Sequence, residues 1–137
     1  MSLFNVFDIA GTAMTAQSVR MNVTASNMAN ADSVSSSTGQ TYRARQPIFE
    51  AVFNDLVDNN ISNGVRVTGV VESQSELRKE YQPAHPQADG EGYIYYPNVN
   101  PIEEMTNMIS ASRSYQNSVE VINASKQMLL QTLRIGQ

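Results

Sequence analysis

The chain has 137 residues, a formal net charge of −4 and a pI near 4.8, and it lacks the clustered Lys and Arg that nucleic-acid binding needs. It contains no cysteine, which excludes disulfides and thiolate metal sites, and no run approaches the ~20 apolar residues that cross a bilayer. Only 16% of its residues are charged, against roughly 25% in an ordinary soluble protein, and the shortage falls on Met1 to Ala31, where Asp8 and Arg20 are the sole charges.

The first segment does not read as a cleavable secretion signal. No Lys or Arg precedes Arg20, and Asp8 interrupts the apolar start. It reads instead as a helix from about Phe4 to Met28 or Ala29. Phe7, Met14, Met21 and Met28 recur every seven residues, with Leu3, Ala10, Gln17 and Thr24 between them. A seven-residue period keeps one side of an underwound helix against a partner, the seam of a coiled coil. The other side carries Ala, Gly, Ser, Thr and Asn where a free helix would carry charges, so more than one side of this helix is expected to meet protein. Gly11, Asn22, Asn27 and Asn30 weaken its intrinsic propensity, leaving it dependent on packing.

Asp32 to Thr41 is polar and aperiodic, a loop. Tyr42 to Phe53 alternates in part, and Pro47 confines any strand there to an edge. Gly64 to Glu72 is the best strand, with Val65, Val67 and Val71 on one face, after the turn signals Asn59-Asn60 and Asn63-Gly64. Leu77 to Tyr81 and Tyr93 to Tyr96 are short strands bounded by Pro83, Pro86, Pro97 and the Asp89-Gly90-Glu91-Gly92 turn. These make a small β region, marginal on its own and expected at one end of a rod.

The second helix starts cleanly. Asn100 can cap, Pro101 suits the first helical position, and Glu103 completes a capping box. Met105, Met108, Ser112, Tyr115, Val119, Ile122, Lys126, Leu129 and Leu133 step by threes and fours to Gly136, a stop signal. The expected architecture is mainly α, with a small irregular β element between N- and C-terminal helices paired as an antiparallel coiled coil. Residues 1–31 form the first helix, 32–99 the loop and β region, and 100–137 the second helix. The expected seam runs through Phe7, Met14, Met21 and Met28 on one side and Met105, Met108, Tyr115, Val119, Ile122, Leu129 and Leu133 on the other.

Little in the chain suggests chemistry. His85 is the only histidine, between Ala84 and Pro86, and no second histidine or cysteine can join it in a metal site. Glu103 and Glu104 are explained by the helix dipole. Asp89-Gly90-Glu91-Gly92 lacks the Lys and hydroxyl of a phosphate loop, and no serine sits in a nucleophile elbow. No catalytic residue, cofactor or metal is expected. The residues alone support two non-enzymatic readings: a lattice subunit that buries its helix backs against neighbours, or a helical adaptor that docks a single partner through an amphipathic face.

The run Ser26-Asn27-Met28-Ala29-Asn30-Ala31-Asp32-Ser33 resembles the signature ending the first helix of flagellar rod and hook proteins, with Ser33 where a Thr is usual. His85-Pro86, Asp89 and Gly92-Tyr93, then Tyr96-Pro97-Asn98-Val99-Asn100-Pro101 with Glu103-Glu104-Met105, are similar to the proximal-rod members of that family. The likeness continues through Ser112 to Gln116, Val119 to Val121, Asn123 and Lys126 to Met128, while residues 57–76 match no family pattern. Asn27, Ala29, Asn30, Pro97, Asn98, Asn100 and Pro101 are the motif positions. The resemblance implies a bacterial flagellar basal-body rod subunit, exported unfolded through the flagellar type III apparatus without a cleaved signal. It would sit in the periplasmic rod near the inner membrane and enclose the export channel while transmitting torque. Its implied partners are copies of itself, other rod proteins and the export-gate adaptor.

Overall fold

The computed structural model describes residues 3–53 and 62–135. Helix α1 spans Leu3–Ala29, strands β1 and β2 span Arg45–Phe53 and Ser62–Glu72, β3 and β4 span Arg78–Tyr81 and Tyr93–Tyr96, and helix α2 spans Pro101–Ile135. The 35 residues of α2 make a rod about 50 Å long at 1.5 Å per residue, and α1 has 27 residues.

Local chemistry sets the helix ends. Asn100 Oδ1 accepts the Ile102 N–H at 3.1 Å, and Pro101 has no amide to leave unpaired. Glu103 and Glu104 occupy the first turn and Arg134 the last, each favourable to the helix dipole. At the end of α1, Asn30 Nδ2 donates to Ser26 O at 2.8 Å, beside the Asn30 N–H that reaches the same carbonyl at 3.2 Å.

The middle forms two separate antiparallel ladders. The β1–β2 hairpin pairs Arg45 with Glu72 and Ala51 with Val65, with irregularities at Ile48/Phe49 and Val52/Phe53. Pro47, opposite Val70, is tolerated because each strand of a two-stranded ladder has a free edge. The β3–β4 ladder gains one further bridge, in which Ser35 and Tyr95 exchange backbone N–H···O bonds of 3.1 and 3.0 Å. The Asp32 to Thr41 segment is thereby tied over β4. Asn59-Asn60 lies outside the described residues.

The hairpin does not stand off one end of a rod, as expected from the sequence. It lies along α1, which packs on α2 as well. Thr12 Oγ1, donating to Ile9 O at 2.9 Å, accepts the Val65 N–H at 3.2 Å. Gly64 makes that approach possible: its φ is +130°, and a Cβ there would overlap the Thr12 hydroxyl. An α1 with protein on two sides explains why its back carries so few charges.

The interior is unusual in what fills it. Among the described residues the buried apolar side chains are Ala10, Ala16, Ala31, Ala44, Ala111, Ile94 and Pro97, joined by the polar Thr24, Asn27, Thr41, Glu104 and Ser125. Large apolar groups stay outside: Ile48, Phe53, Val70 and Val71 on the hairpin, and Ile102, Met105, Ile109, Val121, Met128, Leu130 and Leu133 on α2 are all exposed.

Candidate assembly surface and the clip that orients it

Two asparagines from opposite ends of the chain grip the same stretch of backbone. Asn27 is 1% exposed, and its Oδ1 accepts the Arg45 N–H at 2.9 Å while its Nδ2 donates to Arg45 O at 2.8 Å. A side-chain amide thus pairs both backbone groups of one residue, as a neighbouring strand would. The Tyr42 hydroxyl donates to the same Oδ1 at 2.8 Å. From the other side, Asn98 Oδ1 accepts the Ala44 N–H at 2.8 Å, and its Nδ2 reaches Ser75 O at 3.0 Å and Ser73 O at 3.4 Å. Arg43 Nη1 donates to those same two carbonyls at 3.1 and 3.2 Å, and Ser73 N donates to Ala44 O at 2.7 Å. Residues 43–45, where the chain enters the hairpin, are therefore held between the end of α1 and the approach to α2.

The other motif positions support this clip. Asn30 caps α1, Asn100 caps α2 and Pro101 opens it, Pro97 is buried beside Asn98, and Ala29 is exposed at the last position of α1.

Phe7, Met14, Met21 and Met28 are half-buried, as are Met108, Tyr115, Val119, Ile122 and Leu129, whereas Met105 and Leu133 are exposed. The innermost positions of α1 are the smaller Ala10, Thr24 and Asn27, with Ala16 innermost on the flank toward the hairpin groove. Those of α2 are Glu104, Ala111 and Ser125. Arg20 Nη2 donates to Asn107 Oδ1 at 3.1 Å between the helices, and further along Val6, Ile9, Ala10 and Ala13 face Asn117, Ser118 and Val121 across an open cleft of about 320 Å³. Gln17 Oε1 is buried with no hydrogen-bond partner among the described residues.

In the tip of the second ladder, Asp89 Oδ1 accepts the N–H groups of Tyr93 and Glu91, both at 2.9 Å, and Oδ2 accepts the Tyr95 hydroxyl at 3.2 Å. The Tyr93 amide holds the carboxyl below its ordinary value of 3.8, against a smaller opposing effect of burial, with the Glu91 amide and Tyr95 hydroxyl adding to the lowering. The same bond to Asp89 raises the Tyr95 phenol above 10.0. His85 Nδ1 accepts the Gln87 N–H at 3.1 Å, a local turn contact. No group of three or more His, Cys, Asp or Glu placed to hold a metal occurs among the described residues, and no described helix is long and apolar enough to cross a membrane.

Comparison with known proteins follows the same division of the chain. Residues 7–35 match the model of the flagella basal body rod protein family, and residues 91–135 match that of the flagellar basal body rod FlgEFG protein C-terminal family. All of α2, α1 from Phe7 onward, and the Asn27 and Asn98 sides of the clip fall inside these matches, while the β1–β2 hairpin falls between them. The flagellar basal-body rod protein FlgC of Salmonella typhimurium is 50% identical, and that of Escherichia coli O157:H7 51%, each over 100% of both chains. FlgC of Borreliella burgdorferi is 40% identical over 100% of this chain and 99% of its own. The chain belongs to the FlgC family of flagellar basal-body rod proteins. Its place is the flagellar basal body, where it is a structural subunit of the proximal rod.

Proposed function

We propose that the chain assembles into a helical lattice around the export channel and transmits torque as part of the rod, with copies of itself, other rod proteins and the basal-body adaptor at the export gate as its partners. One observation carries this reading: apart from Ile94 and Pro97 the deepest apolar side chains are alanines, while many large ones on the hairpin and α2 are exposed and those of the α1 stripe are only half-buried. Covering a Leu, Ile or Phe is worth ~1.5–3 kcal/mol, whereas a buried methyl group is worth ~0.8. Neighbours that cover the exposed side chains therefore have substantial apolar stabilisation to add.

Within the subunit we assign residues 1–31 and 100–137 to an antiparallel coiled coil and 32–99 to the region it carries. Arg20 lies by Asn107, and Ala10 by Asn117 and Ser118, so the contacts run in opposite order along the two helices. The spacing supports a seam through Ala10, Ala13, Gln17, Arg20, Thr24 and Asn27 against Glu104, Met108, Ala111, Tyr115, Ser118, Ile122, Ser125 and Leu129, by threes and fours throughout. The stripe of Phe7, Met14, Met21 and Met28 is then half covered by the seam's margin and half left for neighbours.

The test is Met21→Asp in cells lacking the native chain. The expected result is protein present at normal level but absent from purified basal bodies, with motility lost. Normal motility would overturn the reading. Purified wild-type monomer should also melt broadly by circular dichroism, and a sharp cooperative transition at high temperature would count against folding on assembly.

A further inference from the structure

One carboxylate stands where a carboxylate is costly. Glu104, in the first turn of α2, is 8% exposed, and its side chain forms no hydrogen bond and no ion pair among the described residues. A covered acid without a partner is destabilising, because water no longer answers its charge. Glu104 lines an open pocket of about 390 Å³, together with Arg20 of α1, Glu103 and Asn107 of α2, and Arg45, Pro47 and Phe49 of the hairpin. Both guanidiniums there are committed elsewhere. Arg20 Nη2 donates to Asn107 Oδ1 at 3.1 Å, and Arg45 pairs with Glu72 at 3.2 Å. Glu72, Glu103 and Glu104 thus set three negative charges against two positive ones, and the pocket is short of one cation.

Resting on the lattice reading above, we propose that this pocket is a socket for one basic side chain, Arg or Lys, presented by a neighbouring protein of the rod, with Glu104 as its counter-charge. The walls select that occupant. An acid would meet Glu103 and Glu104, and a neutral side chain would leave Glu104 unanswered. Pro47 and Phe49, the latter 39% exposed, give apolar cover to a methylene stem while its charged head reaches the acid. The chain cannot supply the cation from within. Arg43 is held by Ser73 O and Ser75 O, Arg66 by Glu50, and Arg78 and Lys79 lie over the Tyr96 and Tyr93 rings. Arg113, Lys126 and Arg134 remain, all exposed on α2. Arg113, the nearest to Glu104 in sequence, lies roughly 14 Å and half a turn away on the same helix. The missing charge therefore comes from another molecule.

Glu104→Gln removes the charge and keeps the shape. In cells lacking the native chain, its recovery in purified basal bodies should fall roughly tenfold or more, while the purified variant keeps its helical signal and melting behaviour. Glu120→Gln, an exposed acid farther along α2, should change neither. Recovery equal to wild type, or an equal fall from Glu120→Gln, would overturn the socket. Loss of helical signal in purified Glu104→Gln would also overturn it, by making the acid a support of the fold. The contact itself is read by replacing Phe49 with photoreactive p-benzoylphenylalanine, which its exposure should tolerate, and irradiating isolated basal bodies. The segment joined should carry Arg or Lys at or beside the point of attachment. A segment of α2 holding Arg113, Lys126 or Arg134 identifies a second copy, and a segment of a different protein identifies that protein; either fulfils the proposal. Attachment only to segments without a basic residue, or none in basal bodies that contain the variant, would overturn it. Failure of the unaltered chain to enter basal bodies would instead remove the lattice reading.

Discussion

Asn27→Asp isolates the clip with almost no change of shape. The carboxylate can still accept from Arg45 N–H and Tyr42 OH, bonds of 2.9 and 2.8 Å. Where Nδ2 donated to Arg45 O at 2.8 Å, however, it sets an oxygen against an oxygen. One lost hydrogen bond is worth about 1 kcal/mol net, and a buried acceptor facing another acceptor adds about 1–3 kcal/mol. The expected penalty is ~2–4 kcal/mol, which raises the population with a detached hairpin roughly 30- to 700-fold. Asn27→Ala removes all three bonds and should fall in the same range. The assay is hydrogen exchange at the Arg45 amide in the purified chain, read with recovery of the variant in basal bodies. Protection at Arg45 should drop while the α1 amides before Ser18 change little. Unchanged exchange at Arg45 together with full recovery in basal bodies would refute the role given to this side chain.

Gly64→Ala should detach the hairpin from α1 by more than the ~1 kcal/mol of an ordinary glycine replacement, because the positive φ and the Thr12 hydroxyl both oppose a Cβ. Pairing it with Thr12→Ala should restore part of the loss in limited proteolysis, and no restoration would leave backbone strain as the whole cause. Ala111→Leu overfills a fully buried position between the helices and should cost about 1–3 kcal/mol and abolish recovery in basal bodies, whereas Ala124→Leu, on an exposed position, should not. The Asp89 turn should loosen in acid. Its folded carboxyl titrates below 3.8, so the stabilisation is present above that value and is lost as pH falls through the lower folded value. Hydrogen exchange at the Glu91 and Tyr93 amides should report that loss as the pH falls below 3.8, and Asp89→Asn should remove the transition.

The helix pair was legible in the sequence because its signals are local. Asn100 and Pro101 announce the start of α2, and a cap acts within one turn of the residue that supplies it. The four strands were legible from turn residues and alternation for the same reason. The position of the hairpin was not, since it depends on Gly64 meeting Thr12, and a glycine after an asparagine reads as a turn signal before it reads as a close approach. The clip was invisible for a related reason: Asn27, Arg45, Ala44 and Asn98 come together only in the folded chain, and no periodicity links them. A trace of it was present in the seven-residue frame, where Asn27 falls three after Thr24 on the stripe that also holds Ala10 and Gln17.

That stripe also explains why reading by large apolar residues finds the helices more easily than their innermost faces. Periodicity shows that a face will be covered, and it is silent about what covers it. In a self-sufficient domain the largest side chains and the deepest positions coincide, because burial within the chain is the main apolar stabilisation available. Here they separate. Ala10, Ala111 and Ser125 allow two backbones to approach closely, while Met14, Met105 and Ile109 remain wholly or partly outside. Enlarging the inner set should therefore harm the monomer and its assembly alike. Trimming the outer set, as in Ile109→Ala, should leave the monomer's helical signal unchanged and reduce only its recovery in basal bodies. Equal loss of both from Ile109→Ala would mean that the outer residues stabilise the subunit itself, and the separation of roles would fail.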